Sequence, residues 1–267
     1  MKKVLFLSFV LLAMMSCNTK QKQAAKAQER VDNAKMLVEQ GNLNAAKMQL
    51  DSVHLLFPKQ VAQRRAAKDL MDSIVYIEAQ RNLHYSDSLL QPLLPQVDAL
   101  LKKFNCEKNE KYENNGRYVH KQLPTDRNIN RCFIQAYVGE DVKTVMKSYY
   151  CGKKAINHEA VTFAVGEDYQ TFKGSTHAFE GLGGQYEILN LSEEDALSAL
   201  GFIAAHPKDR IKVTLSGEKD YVYYLNQKEK DALAETCQLA LLMRDVRELE
   251  HQVNVANLQI QHYAGEE

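Results

Sequence analysis

Residues 239–263 read LALLMRDVRELEHQVNVANLQIQHY. Leu239, Leu242, Val246, Leu249, Val253, Ala256, Ile260 and Tyr263 step alternately by three and four, the a/d seam of coiled-coil packing. Arg244, Arg247, Glu248, Glu250 and Gln252 interleave with them as a wet face. Asn226 with Glu229 three residues on is a helix start. The spacing therefore predicts a helix over 227–263, ~55 Å long at ~1.5 Å per residue. Each large apolar side chain of the seam left in water forgoes roughly 1.5–3 kcal/mol, so the seam needs a partner. Residues 60–104 offer one, a long helix in which Leu70, Ile74 and Ile77 lead into Leu83, Leu90, Leu93, Val97, Leu100 and Phe104, stepping mainly by threes and fours. Pro92 and Pro95 each remove a backbone donor and kink it. Antiparallel pairing of the two segments predicts a coiled-coil-like stalk that carries the region between them. The alternative is a parallel homodimer through the C-terminal seam. A monomer is favoured because both segments bracket one domain.

Between them, over 112–225, the period changes to two. Cys132, Ile134, Ala136 and Val138 alternate with Arg131, Phe133, Gln135 and Tyr137. The chain turns at Gly139-Glu140-Asp141 and returns through Val142–Tyr150. Further strands are expected over 161–165, 169–172, 185–191, 211–215 and 221–225, with one short helix opened by the Ser192/Asp195 capping box. Residues 105–116 read as a solvated linker. The expected fold class is α+β: a helical hairpin and a long antiparallel helix pair carrying a largely antiparallel β-sandwich or open barrel.

Residues 18–59 hold a tether and then two short helices broken at Gly41-Asn42. Ala27, Val31, Ala34, Leu37 and Val38 line the first; Leu43, Ala46, Leu50, Val53 and Phe57 line the second. Gly41, Ala46, Leu50, Val53 and Pro58 fall where a tetratricopeptide repeat places its turn Gly, helix-B Ala, apolar pair and closing Pro, so the hairpin resembles one such repeat. Arg30 stands where that family has a leading aromatic. A generic helical hairpin fits the same residues.

At the N-terminus, Lys2 and Lys3 precede an apolar run from Val4 to Met15, then Ser16 and Cys17, a secretory-signal pattern. A run of about 12 residues rises ~18 Å as a helix, short of the ~30 Å hydrocarbon core. Ser16-Cys17 resembles the lipobox of bacterial lipoproteins, although Met14-Met15 depart from its commoner residues. The resemblance implies residues 1–17 as a signal peptide, lipidation at Cys17, and a place in the bacterial cell envelope, periplasmic or surface-facing, attached to the membrane by its lipid. Lys20, Lys22, Lys26 and Arg30 suit a tether beside an anionic surface.

The chain's 267 residues carry 34 Lys plus Arg and 34 Asp plus Glu, no net charge. Phosphate neutralisation needs a basic excess, so no nucleic-acid partner is expected. Cys106, Cys132, Cys151 and Cys237 remain after Cys17, with no CxxC pair among them. An export compartment permits disulfides in three connectivities. With Val138 opposite Val142, however, Cys132 faces Ser148 and Cys151 points to the other sheet face, so buried free thiols are expected. No nucleophile elbow or HExxH motif is present, and Gly181-Leu182-Gly183-Gly184 lacks the strand–helix context of a phosphate loop. No catalytic residue and no cofactor are nominated. A metal site would draw on His158, His177 and Glu180. Tyr149, Tyr150, Tyr221, Tyr223 and Tyr224 sit on predicted strands, where alternation turns some of them outward to bind protein or glycan. The expected function is a lipid-anchored interaction module without catalysis, with an unknown protein or glycan partner. The alternative is an envelope enzyme or small-ligand binder with its site in the β region.

Overall fold

Gly41, in the left-handed region at φ 76°, closes the first helix, α1 (Lys2–Glu39), and Asn42 opens α2 (Leu43–Leu56) by accepting from the Ala45 N–H. After Pro58 the chain re-enters helix in α3 (Val61–Leu90), turns at Pro92, and makes the short α4 (Leu94–Leu101) with Pro95 in its first turn. The computed structural model describes residues 20–108, 114–128, 130–181 and 184–264 with their side chains, and residues 2–19 as backbone only. Cys17 and its apolar run therefore lie outside the fully described residues. Among the described residues no helix is long and apolar enough to cross a membrane.

The chain forms two units, residues 1–88 with 250–267, and residues 89–249. In the first, Ala27, Val31, Ala34, Ala46, Leu50 and Val53 are sealed in one cluster with Ala67 and Ile74 of α3. Two ties fix the antiparallel course of α2 and α3: the Lys47–Glu78 ion pair (2.7 Å) and the Arg64 Nε–His54 Nδ1 contact (3.4 Å). The last turns of the C-terminal helix, α7 (Gln227–Ala264), run beside α3 in the same unit. Buried Ser86 donates to Gln252 Oε1 (3.1 Å), and Tyr76 lies in one groove with Tyr263. High α7 numbers meet low α3 numbers, so this pairing is antiparallel.

The second unit opens with β1 (Phe104–Glu107), β2 (Arg117–His120) and the single helical turn α5 (Thr125–Asn128). Then come β3 (Phe133–Gly139), β4 (Thr144–Gly152), β5 (Ala160–Val165), β6 (Asp168–Lys173), β7 (Ser175–Gly181) and β8 (Gly184–Asn190). The helix α6 (Glu193–Ala205) and strands β9 (Lys212–Ser216) and β10 (Tyr221–Tyr224) lead into α7. Two sheets result, β1-β2-β3-β4-β8-β7 and β10-β9-β5-β6, in which every pairing is antiparallel. Their inward residues, among them Ile134, Met146, Leu189, Phe163, Val213 and Leu215, share one core with α6 and the start of α7. With helices and antiparallel sheets segregated along the chain, the fold is α+β.

The seam of α7 holds along its length. Leu239 and Ala256 are buried, the other six seam residues are half-buried, and Leu241, Arg244, Arg247, Glu248 and Val255 between them are exposed. In the second unit, Leu239 packs against Leu100 and Phe104.

Four sequence expectations are corrected. The region read as a linker begins with β1, an edge strand paired to β2, and β7 was not foreseen. The β3–β4 hairpin pairs Val138 with Thr144 rather than Val142, because Val142 takes a left-handed conformation (φ 67°) inside the turn. That two-residue shift sets Cys132 opposite Tyr150 and keeps Cys151 on the other face. Cys106, Cys132, Cys151 and Cys237 are free, but only Cys132 and Cys237 are buried, since Cys106 lies on the edge strand β1.

Candidate functional site

The sequence-nominated tyrosines divide between core and surface. Tyr149 and Tyr150 are buried because β4 is covered on both faces. Tyr149 stacks on Phe133 (centroids 4.5 Å apart) and donates to Gln135 Oε1, while Tyr150 donates to the Lys154 carbonyl (2.8 Å). Neither is among the tyrosines that turn outward. On β10, Tyr221 and Tyr223 lie opposite Leu215 and Val213, whose side chains are core. The Tyr221 ring meets Tyr150 edge-on (5.6 Å) and keeps 41% of its surface exposed. The Tyr223 hydroxyl is buried, and burial and the nearby Glu229 carboxylate raise its pKa well above that of free tyrosine.

Val222 and Tyr224, the other parity of β10, lie on the outer face of the four-stranded sheet. Register assembles that face row by row. One row runs Tyr224–Lys212–Ala164–Tyr169, the next Val222–Thr214–Thr162–Thr171. Tyr169, Tyr224 and Val222 are 66%, 44% and 49% exposed, and Ala164 leaves a low point between the two tyrosines. Strands ~4.8 Å apart place these tyrosines ~14 Å from each other across the sheet. The Thr162 and Thr171 hydroxyls bond to each other (2.8 Å). Sequence reasoning did not nominate Tyr169, Lys212 or the threonines. Their parity against Phe172, Val213 and Phe163 was the available signal.

Buried polar groups fix the loops that frame this face. Glu187 on β8, 1% exposed, accepts three backbone N–H bonds, from Ile156 (2.7 Å) and Asn157 (3.1 Å) on one oxygen and His158 (2.5 Å) on the other. The segment so held docks the β9–β10 turn: Glu218 N–H donates to the Ile156 carbonyl (2.7 Å). A Cβ at Gly217 would stand 2.1 Å from that same carbonyl oxygen, so only glycine fits. At the other end of β10, buried Lys230 donates to the Pro207 and Asp209 carbonyls (2.8 Å each). That loop brings the Arg210 guanidinium over the Tyr224 ring, 3.8 Å from its centroid.

His158 lies within hydrogen-bond reach of Ser148 (Nε2 to Oγ, 3.3 Å). Its Nδ1 is buried with no partner among the described residues, and Glu187 holds its backbone rather than its ring. Burial holds its pKa at about 4, so the imidazole is neutral at pH 7. Ser148, His158 and Glu187 are each 1% exposed, sealed from any substrate. His177 and Glu180 are exposed on β7, whereas His158 is buried. Among the described residues no three His, Cys, Asp or Glu are gathered to hold a metal ion. No known protein family, curated protein or solved structure matches this chain.

Proposed function

We propose that the protein is a lipid-anchored interaction module of the bacterial cell envelope, without catalytic activity, whose four-stranded sheet face takes a partner protein. The observation that carries the reading is the row Tyr224–Lys212–Ala164–Tyr169, in which exposed Tyr224, Lys212 and Tyr169 stand around a buried Ala164. Tyrosine and arginine carry much of the energy of protein interfaces, because each joins apolar area to a polar tip. The threonine row offers hydrogen-bonding hydroxyls beside them. A protein is favoured over a glycan because Arg210 already covers one face of the Tyr224 ring. The lipobox-like Ser16-Cys17 supports the anchor.

A photo-reactive phenylalanine analogue at Tyr169 or Tyr224, in the full chain in its own cells, tests the face. The expected result is one protein adduct shared by both positions and absent when the probe replaces exposed Tyr85 of α3. Glycan adducts alone would replace the protein reading, and identical adducts from all three positions would refute the face. The anchor has its own test. Cys17→Ala should move the protein out of the membrane fraction.

A further inference from the structure

The first unit has a second surface of distinct chemistry, the turn between α2 and α3. Arg30 Nη1 donates to Gln49 Oε1 (2.9 Å), which sets the antiparallel register of α1 and α2. Continued from that pair, the register brings Lys26 abreast of Val53 and Gln23 abreast of Leu56. The first turn of α3 returns to the same end, where Arg64 reaches His54 and the Pro58 carbonyl (3.2 Å). Residues 20–26 of α1 and the α2–α3 turn thus lie together at one end of the α2–α3 hairpin, the tip considered below.

Two properties set this tip apart. Leu55, Leu56 and Val61 are 78%, 61% and 73% exposed, although Leu50 and Val53, one turn back, are fully sealed. Large aliphatic side chains this close together and this open are unfavourable in water. Around them, 18–28 and 52–68 contain no Asp or Glu, yet they bring exposed Lys20, Lys22, Lys26, Lys59, Arg64 and Arg65. In a chain whose charges balance overall, this is a local cationic field around an aliphatic point.

We propose that this tip seats on the anionic face of a lipid bilayer, with Leu55, Leu56 and Val61 entering the boundary between headgroups and acyl chains and the six cations meeting lipid phosphates. Aliphatic insertion combined with basic residues is the chemistry of interfacial binding. The tip is a helix-to-helix turn rather than a groove, which suits a planar surface, and it lacks the exposed aromatics on which nucleic-acid bases stack. The inference rests on the reading of Cys17 as the lipid anchor. Cys17 precedes Lys20 by three residues, so an anchor there holds the tip at high effective concentration beside the membrane. Docking then orients a protein that the tether alone would leave free to swing.

The chain contains no tryptophan, so Leu56→Trp introduces a single reporter at an exposed position. The full-length variant, its fold checked by circular dichroism, is reconstituted into phosphatidylethanolamine vesicles containing phosphatidylglycerol with brominated acyl chains. The expected result is a blue-shifted emission quenched by the bromine, and no quenching of a Tyr85→Trp reporter farther along α3 in the same unit. Replacing Lys59, Arg64 and Arg65 by Gln should weaken the docking equilibrium about a hundredfold, from about fivefold per charge. Phosphatidylcholine vesicles should give little quenching. Solvent-like, unquenched emission from Leu56→Trp on anionic vesicles overturns the proposal, as does equal quenching on phosphatidylcholine. An equal spectral change with RNA or polyglutamate, without vesicles, also overturns it. The mass of the N-terminal peptide reads the anchor separately. Quenching with an unmodified Cys17 supports the tip and removes the anchor; an acylated Cys17 with unquenched Leu56→Trp keeps the anchor and refutes the tip.

Discussion

Acid should loosen the second unit through one buried imidazole. In the folded chain His158 is 1% exposed and takes a proton only near a pKa of about 4, because burial disfavours its charged form more than Glu187 favours it. In the unfolded chain its pKa returns to about 6.5. Above that value the ring is neutral in both states and contributes no pH dependence. As the pH falls from about 6.5 to about 4 the unfolded chain takes up a proton that the folded chain refuses, so stability falls. A gap of between two and three pH units at ~1.36 kcal/mol each sets the limit at about 3 kcal/mol, a large share of a typical ~5–15 kcal/mol domain stability. Urea unfolding followed by tyrosine circular dichroism, at steps from pH 7 to pH 4, measures the loss in the wild type and in His158→Gln. The variant starts less stable, since its packing changes, but should lose ~3 kcal/mol less over the window. Parallel curves would refute the reasoning. So would an NMR titration placing the folded His158 near its unfolded value.

Gly217→Ala would set a methyl group 2.1 Å from the Ile156 carbonyl oxygen and 2.4 Å from that of Asn157; the clash should cost several kcal/mol, read as a drop in the urea midpoint of the sheet unit. Leu50→Ala empties a fully buried site in the α1–α2–α3 cluster and should cost ~2–5 kcal/mol, detected as faster amide exchange confined to residues 27–77. Tyr169→Ser with Tyr224→Ser should change stability by less than about 1 kcal/mol, since both rings are exposed, yet abolish partner capture in pull-downs. Retained capture would remove the sheet face as the interaction site.

Legibility in the sequence followed how one-sided each element is. The α1–α2 hairpin, α6 and the α7 seam bury one stripe each, so their period of three to four showed. Strands β6 and β9, with one buried face, showed a period of two. β7 escaped because all seven of its residues are exposed, which leaves no alternation to read. β4 misled in the opposite way: with both faces covered, alternation assigned Tyr149 or Tyr150 to solvent when both belong to the core. Glu187 gave no local signal at all. Its donors lie 29 to 31 residues earlier, and nothing beside it marks a carboxylate that must hold a loop.

The candidate face and the core behind it are two sides of the same strands, and this bears on which residues can change. A one-residue slip of β6 against β5 would carry Tyr169 and Thr171 inward and Phe172 into water. Phe172, packed against Phe163 (6.3 Å), therefore orders the tyrosine row as firmly as it orders the core. The expensive groups sit off the face: the Glu187 carboxylate and the Lys230 ammonium are buried against backbone partners and hold the two loops that flank β10. Losing either would strand buried donors or acceptors, which costs far more than altering an exposed ring. The face can thus vary at Tyr169, Lys212, Val222 and Tyr224 while its frame stays constant.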